Sequence, residues 1–188
     1  KKEKNLKAFS KETLDIRDFS AVETMIKFER PDILVNAAAY TAVDKAEINQ
    51  EEAYKINSEA VSCIAKNLQS LGSYLIHYSS DYVFDGSKKT SYSETDLTSP
   101  LNIYGKSKLA GEMEIKKQME NFVILRTSWV VGNNGNNFIK TILNLIKEKE
   151  SLKVIDDQYG VPTSTELLSG VTGKIISAIK KRNNFESG

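Results

Sequence analysis

The 188-residue chain is 40 % hydrophobic and carries 26 Lys plus Arg against 25 Asp plus Glu, enough apolar material for one large domain, or for one domain and part of another. The two signs of charge are interspersed, which argues against nucleic acid or an anionic membrane as partner, and no apolar run approaches the roughly 20 residues of a membrane span. One cysteine excludes an internal disulfide, so a cytoplasmic protein acting on a small molecule is expected.

The chain opens Lys1-Lys2-Glu3-Lys4, without an initiator Met or a signal-peptide apolar stretch. It is expected to be a fragment, because residues 5–10 already read as a strand. Ser20-Ala21-Val22-Glu23 has the spacing of a capping box and predicts a helix to about Glu29, where Pro31 follows. Residues 32–36 form an apolar run suited to a strand buried on both faces. Ala53, Ile56, Ala60, Ile64, Leu68 and Leu71 recur every three or four residues, a helical face that stops at Gly72. Cys63 lies on that apolar stripe and reads as core.

Residues 74–79 form the next buried strand, inside which the sole histidine, His77, reads as a satisfied core imidazole. A helix over 102–119 and a strand over 122–126 follow. Phe138, Ile139, Ile142, Leu143 and Ile146 mark a further helix, 152–155 a strand, and Thr163-Ser164-Thr165-Glu166 a second capping box that opens the last helix. This alternation of short strands and helices predicts an α/β fold with a doubly wound parallel sheet, since each crossover helix covers one face of the strands it links. Ligands of such sheets gather at the carboxyl ends of the strands, which directs attention to the residues just after each strand.

Tyr104-Gly105-Lys106-Ser107-Lys108 sets a phenol and an ammonium four residues apart, on one helical face and about one turn from each other. A cation beside the phenol is expected to lower its pKa from about 10 and make Tyr104 a proton donor and acceptor at neutral pH. The pair alone is a weak signal, because Tyr and Lys meet by chance on many exposed helices. A hydroxyl cluster at the preceding strand end, Ser79-Ser80-Asp81-Tyr82, strengthens it.

Four segments carry a specific likeness. They are Asn36-Ala37-Ala38-Ala39-Tyr40-Thr41-Ala42-Val43-Asp44-Lys45-Ala46-Glu47, Ser80-Asp81-Tyr82-Val83-Phe84-Asp85-Gly86, Pro100-Leu101-Asn102-Ile103-Tyr104-Gly105-Lys106-Ser107-Lys108-Leu109-Ala110-Gly111-Glu112, and Arg126-Thr127-Ser128-Trp129-Val130. In order and spacing the chain resembles the extended short-chain dehydrogenase/reductases, and within them the dTDP-4-dehydrorhamnose reductase family. The resemblance implies a Rossmann-like domain over residues 1–150, lacking its first β-α unit, and the start of a smaller substrate-binding region over 151–188. It implies NADPH- or NADH-dependent reduction of the 4-keto group of a dTDP-sugar in nucleotide-sugar biosynthesis for cell-surface polysaccharide, and leaves a homodimer open.

The same resemblance implies roles for single residues. Tyr104 would protonate the keto oxygen, Lys108 would tune Tyr104 and bind the nicotinamide ribose, and Ser80 would hydrogen-bond the keto oxygen. Ser80 stands where the family usually has Thr, a departure that keeps the hydroxyl. Asp15 and Ile16 would lie against the adenine side of the cofactor, and Ala38, Ala39, Tyr40 and Thr41 under its ribose and diphosphate. Asp81, Tyr82 and Trp129 would meet the substrate; from its position alone Trp129 reads equally as a stacking surface for a sugar and as a core ring. Asp156 and Asp157 are adjacent on a loop without a neighbouring His, and no metal site is expected there.

None of the 10 glycines forms the glycine-rich turn that holds a dinucleotide's pyrophosphate. Two other readings stay open at this stage: a non-catalytic regulatory subunit of the same fold, like that of methionine adenosyltransferase, and another sugar-nucleotide epimerase or dehydratase. Retention of both Tyr104 and Lys108 favours an enzyme over the former.

Overall fold

A computed structural model of the chain describes residues 6–135, 137–154 and 156–182. By contacts they gather into two compact units, one ending at Arg126 and the other beginning at Thr127.

The first unit is built on parallel strands. Strand β1 (Ile33–Asn36) pairs in parallel with β2 (Tyr74–Ser80), in a register that sets Ile33 beside Tyr74 and Asn36 beside His77. Strand β3 (Phe122–Thr127) flanks β2 on its other side, giving the order β1-β2-β3. Helix α1 (Phe19–Glu29) precedes β1. Between β1 and β2 run the short helices α2 (Val43–Ala46) and α3 (Gln50–Tyr54), a π-helical turn over Lys55–Glu59, and α4 (Ala60–Gln69). A single turn of 3₁₀ helix (Asp81–Val83) follows β2, and α5 (Ile103–Gln118) leads into β3. This is the Rossmann-like α/β arrangement that the alternation of elements predicts.

The periodic apolar residues explain the packing. Val22 and Ile26 of α1, Val61, Ile64, Ala65 and Leu68 of α4, Leu75 of β2 and Ile115 of α5 form one core, with Cys63 packed against it as expected. Burying each large aliphatic side chain of this kind contributes about 1.5–3 kcal/mol. A second, smaller cluster joins Ala46, Ala53 and Tyr104 and anchors the start of α5.

Several local expectations are corrected. Residues 6–10 are not a strand: Leu6 is 89 % exposed and no ladder partner lies beside them; residue 5 lies outside the described part. Helix α1 begins two residues early, and its cap is Asp18, whose carboxylate accepts from the Ala21 N–H at 3.0 Å in place of the Ser20 box. The helix expected over 51–71 contains the π turn, and Gly72 terminates it in the left-handed region at φ 68°.

In the second unit, β4 (Val130–Val131) pairs in parallel with β5 (Thr163–Ser164). Helices α6 (Phe138–Glu148) and α7 (Thr165–Arg182) complete it. Ser164 caps α7 by accepting from the Leu167 N–H at 3.1 Å. Residues 152–154 form no strand, because no neighbour offers them a ladder and Val154 is 53 % exposed; Ile155 lies outside the described residues.

Candidate active site

The carboxyl ends of β1 and β2 lie side by side because the strands are parallel and in register. Ser80 closes β2, 5 % exposed. Its hydroxyl accepts from the Tyr82 N–H at 3.2 Å and donates to Asp81 Oδ1 at 3.2 Å, so the 3₁₀ turn fixes the serine rotamer. Asn102 caps α5 by accepting from the Gly105 N–H at 2.8 Å, and one residue before it Tyr104 leaves the first turn toward Ser80. The Tyr104 ring meets Tyr82 edge-on at 5.5 Å.

Gly105 makes this approach feasible. A Cβ there would lie 2.1 Å from the Tyr82 carbonyl oxygen, so only glycine lets α5 come this close to the turn after β2. One turn further on, Lys108 is 1 % exposed, and its Nζ donates to the Tyr78 carbonyl at 2.7 Å. Ser80 and Tyr104 therefore meet after β2, while Lys108, on the same face of α5 as its four-residue spacing predicts, reaches the β2 backbone at Tyr78.

The electrostatics differ from expectation in one respect. The Tyr104 phenol is pushed above its usual value, first by burial and then by Asp81 and Tyr82, while the hydrogen bond with Ser80 pulls it down. Lys108 does not lower it, because its ammonium is turned toward Tyr78 and His77. Burial lowers Lys108 itself to about 8, against the opposing pull of Glu112. Tyr104 is thus protonated at neutral pH, as an acid acting in a reduction must be.

The remaining expected residues are placed as follows. Ala38 and Thr41 are exposed and Ala39 and Tyr40 half-buried, on the loop after β1. Asn36 Oδ1 accepts from the Ala38 N–H at 3.1 Å, which folds the loop back over the strand end. Open backbone flanked by small side chains suits close approach of a flat or phosphorylated ligand. Asp15 is bound by Arg17 through Nε and the terminal guanidinium nitrogen and is held down to about 2 by it, while Ile16 packs on the core. What those two residues offer a ligand is backbone and carboxylate edge.

Trp129 belongs to the second unit. It sits in the left-handed region at φ 43°, 42 % exposed. Its indole covers Gly160, where an added Cβ would come within 2.6 Å of the ring. The Ser128 hydroxyl donates to the Val161 carbonyl at 2.7 Å, and the Thr163 N–H to the Trp129 carbonyl at 3.2 Å. The ring is thus neither a core residue nor a free surface; one part leans on a loop and the rest is open. A non-glycine residue held at positive φ costs on the order of 1–3 kcal/mol, and such residues cluster at functional sites.

Residues 1–187 match the family model described as the RmlD substrate binding domain. The chain belongs to the RmlD family. The dTDP-4-dehydrorhamnose reductase of Salmonella typhimurium is 51 % identical over 163 residues, covering 85 % of this chain and 54 % of that protein. The crystal structure of dTDP-4-dehydrorhamnose reductase from Bacillus anthracis in complex with NADP superimposes with a TM-score of 0.89 at 40 % identity, over 93 % of this chain and 62 % of that one. The Clostridium acetobutylicum orthologue gives 0.88 at 41 %, over 94 % of this chain and 64 % of the other. The chain therefore spans little more than half the length of these RmlD relatives.

Three residues of this RmlD chain support the site without a role assigned from sequence, although Gly111 and Glu112 stand in the motif that contains Tyr104. Asn57 projects from the π turn and is 1 % exposed; its Oδ1 accepts from the Tyr40 N–H at 2.9 Å, while its Nδ2 donates to the Tyr40 carbonyl at 3.1 Å and to Ser107 Oγ at 3.0 Å. It ties the loop after β1 to α5, and the extra residue of a π turn is the sort of local irregularity that marks functional positions. Gly111 lets α5 pack on it, since a Cβ there would stand 2.1 Å from the Asn57 carbonyl oxygen. Glu112, fully buried, takes two hydrogen bonds from Arg126, at 2.9 and 2.6 Å, and Arg126 in turn lies 5.0 Å over the Phe84 ring. The signal that could have found Asn57 and Glu112 is an amide or charged residue on an otherwise apolar helical face; Gly111 offers none.

Proposed function

We propose that the chain carries the catalytic residues of an NAD(P)H-dependent reductase that converts the 4-keto group of dTDP-4-dehydro-L-rhamnose to the alcohol of dTDP-L-rhamnose. The observation that carries this reading is the assembly of Ser80, Tyr104 and Lys108 at the carboxyl end of β2. The sugar is that of the dTDP-4-dehydrorhamnose reductases among the RmlD relatives, and the NADP of the Bacillus anthracis structure supplies the cofactor class.

When bound, the reduced nicotinamide supplies a hydride to the carbonyl carbon. The residues of this chain do the rest. Ser80 Oγ, oriented by the Tyr82 N–H, hydrogen-bonds the keto oxygen and polarises the carbonyl. Tyr104, protonated because burial raises its phenol, gives the proton to that oxygen as negative charge develops. Lys108 donates to the Tyr78 carbonyl and lies beside His77, and its remaining donor is left for a ribose hydroxyl. The loop 38–41, clamped by Asn57 at Tyr40, fits the ribose and diphosphate, and Asp15 and Ile16 the adenine side. Asp81 and Tyr82 orient the sugar nucleotide, and the open part of the Trp129 ring offers a stacking surface for a sugar.

In this reading residues 1–150 belong to the cofactor-binding half and 151–188 open the substrate-binding region, in a cytoplasmic enzyme. Among the described residues no helix is long and apolar enough to cross a membrane. The test is direct: a full-length RmlD protein carrying these residues, given dTDP-4-dehydro-L-rhamnose, should oxidise NADPH or NADH and yield dTDP-L-rhamnose in equal amount. Cofactor oxidation without that product, or none at all, would overturn the assignment.

A further inference from the structure

His77 is fully buried on β2, between two polar side chains. Asn36 Nδ2 lies 3.2 Å from its Nδ1, and Lys108 Nζ lies 3.4 Å from its Nε2. The Asn36 amide cannot be turned over, because its Oδ1 accepts the Ala38 N–H at 3.1 Å. Its other end is an NH₂ group, which can only donate. Nδ1 of His77 must then be the acceptor, and in a neutral imidazole the proton sits on the other nitrogen. We propose that His77 is a positioning residue for Lys108, locked by Asn36 into the tautomer with the proton on Nε2, so that a ring N–H and not a lone pair faces the lysine nitrogen.

The consequence is chemical. An N–H opposite an ammonium is a donor facing a donor, whereas opposite a neutral amine it completes a hydrogen bond. The pair Asn36–His77 therefore disfavours the charged form of Lys108 and steers the ammonium protons to the Tyr78 carbonyl and to the open side of the site. The opposing influence is Glu112, one turn along α5, which is itself held by Arg126 of β3. Burial keeps His77 neutral, lowering it to about 3, so the tautomer is not lost by protonation near neutrality. The loop that folds over β1 and the lysine of α5 are in this way connected through one imidazole.

This inference rests on the reductase reading for the role of Lys108, but its first test does not. In the full chain labelled with ¹⁵N-histidine, the His77 signals, assigned by their loss in His77→Gln, should show a protonated Nε2 and a bare Nδ1 across roughly pH 6 to 9. A protonated Nδ1, or an imidazolium, would overturn the proposal whether or not the protein reduces a sugar. The second test uses turnover. In His77→Gln the amide is free to turn its oxygen toward Lys108, which favours the ammonium. The basic limb of the kcat profile should move to higher pH with the substrate KM little changed. A limb that stays in place, with kcat and KM altered together, would reduce His77 to a packing residue and contradict the proposal.

Discussion

Replacing Gly105 by alanine tests how finely the site depends on the approach of α5 to the turn after β2. The new Cβ would be built 2.1 Å from the Tyr82 carbonyl oxygen, 3.0 Å from its carbon and 3.1 Å from Pro100 Cβ. Two of these neighbours are backbone atoms of the turn that positions Ser80, and neither can swing away as a side chain tip could. Relief requires α5 and the turn to separate by about 1 Å, a misplacement that can cost on the order of 10²-fold in rate. The same overpacking should cost about 1–3 kcal/mol of stability. In a full-length RmlD protein carrying these residues, kcat for ketone reduction should fall by roughly that factor, with a smaller change in sugar-nucleotide affinity. Gly173→Ala, on α7 with nothing within 4 Å of its Cβ, serves as the control and should leave kcat intact. If Gly105→Ala retained kcat within about threefold of the parent, the dependence of the reaction on the spacing between Tyr104 and Ser80 would be refuted.

Three further outcomes follow from the same geometry. Glu112→Ala leaves Arg126 without its carboxylate; because that arginine keeps some solvent contact, the loss of stability should sit near the lower end of about 3–5 kcal/mol in chemical denaturation. His77 is depressed to about 3 in the folded state, so the unfolded chain binds the extra proton below its ordinary value. Stability should therefore fall as pH drops from about 6.5 to 4.5, by about 2–3 kcal/mol from this group alone, and His77→Gln should flatten that slope. Asp81, raised by burial, works in the opposite sense, which is why the difference between parent and variant is the quantity to measure. The 188 residues by themselves contain no glycine-rich turn and should bind NADPH far more weakly than the Bacillus anthracis reductase in a cofactor-fluorescence titration.

The parts of the fold written in long apolar periods were legible from sequence. The stripe from Ala53 to Leu71 and the runs leading into Asn36 and Ser80 have one stable solution, burial between sheet and helices. The short segments were not, because a few alternating residues such as 6–10 become a strand only beside a partner, and partnership is not a local property. At the site, the four-residue spacing placed Tyr104 and Lys108 on one face, and Ser80 followed from the strand end. The sign of the Tyr104 shift was missed because spacing reveals which groups are near but not where an ammonium points, and Lys108 points at Tyr78. Asn57 was missed for a similar reason: helical periodicity assumes a regular helix, and the π turn that aims it is a departure from one.

On the proposed reading Tyr104, hydrogen-bonded to Ser80, donates the proton during reduction of a sugar-nucleotide ketone. The most direct measurement is turnover of dTDP-4-dehydro-L-rhamnose by Tyr104→Phe in a full-length RmlD protein carrying these residues, alongside binding of the same nucleotide sugar. Removing only the hydroxyl should abolish turnover and leave binding close to that of the parent. Turnover that survives the substitution, or binding lost in proportion to rate, would show that Tyr104 is not the acid and that the account of the site is wrong.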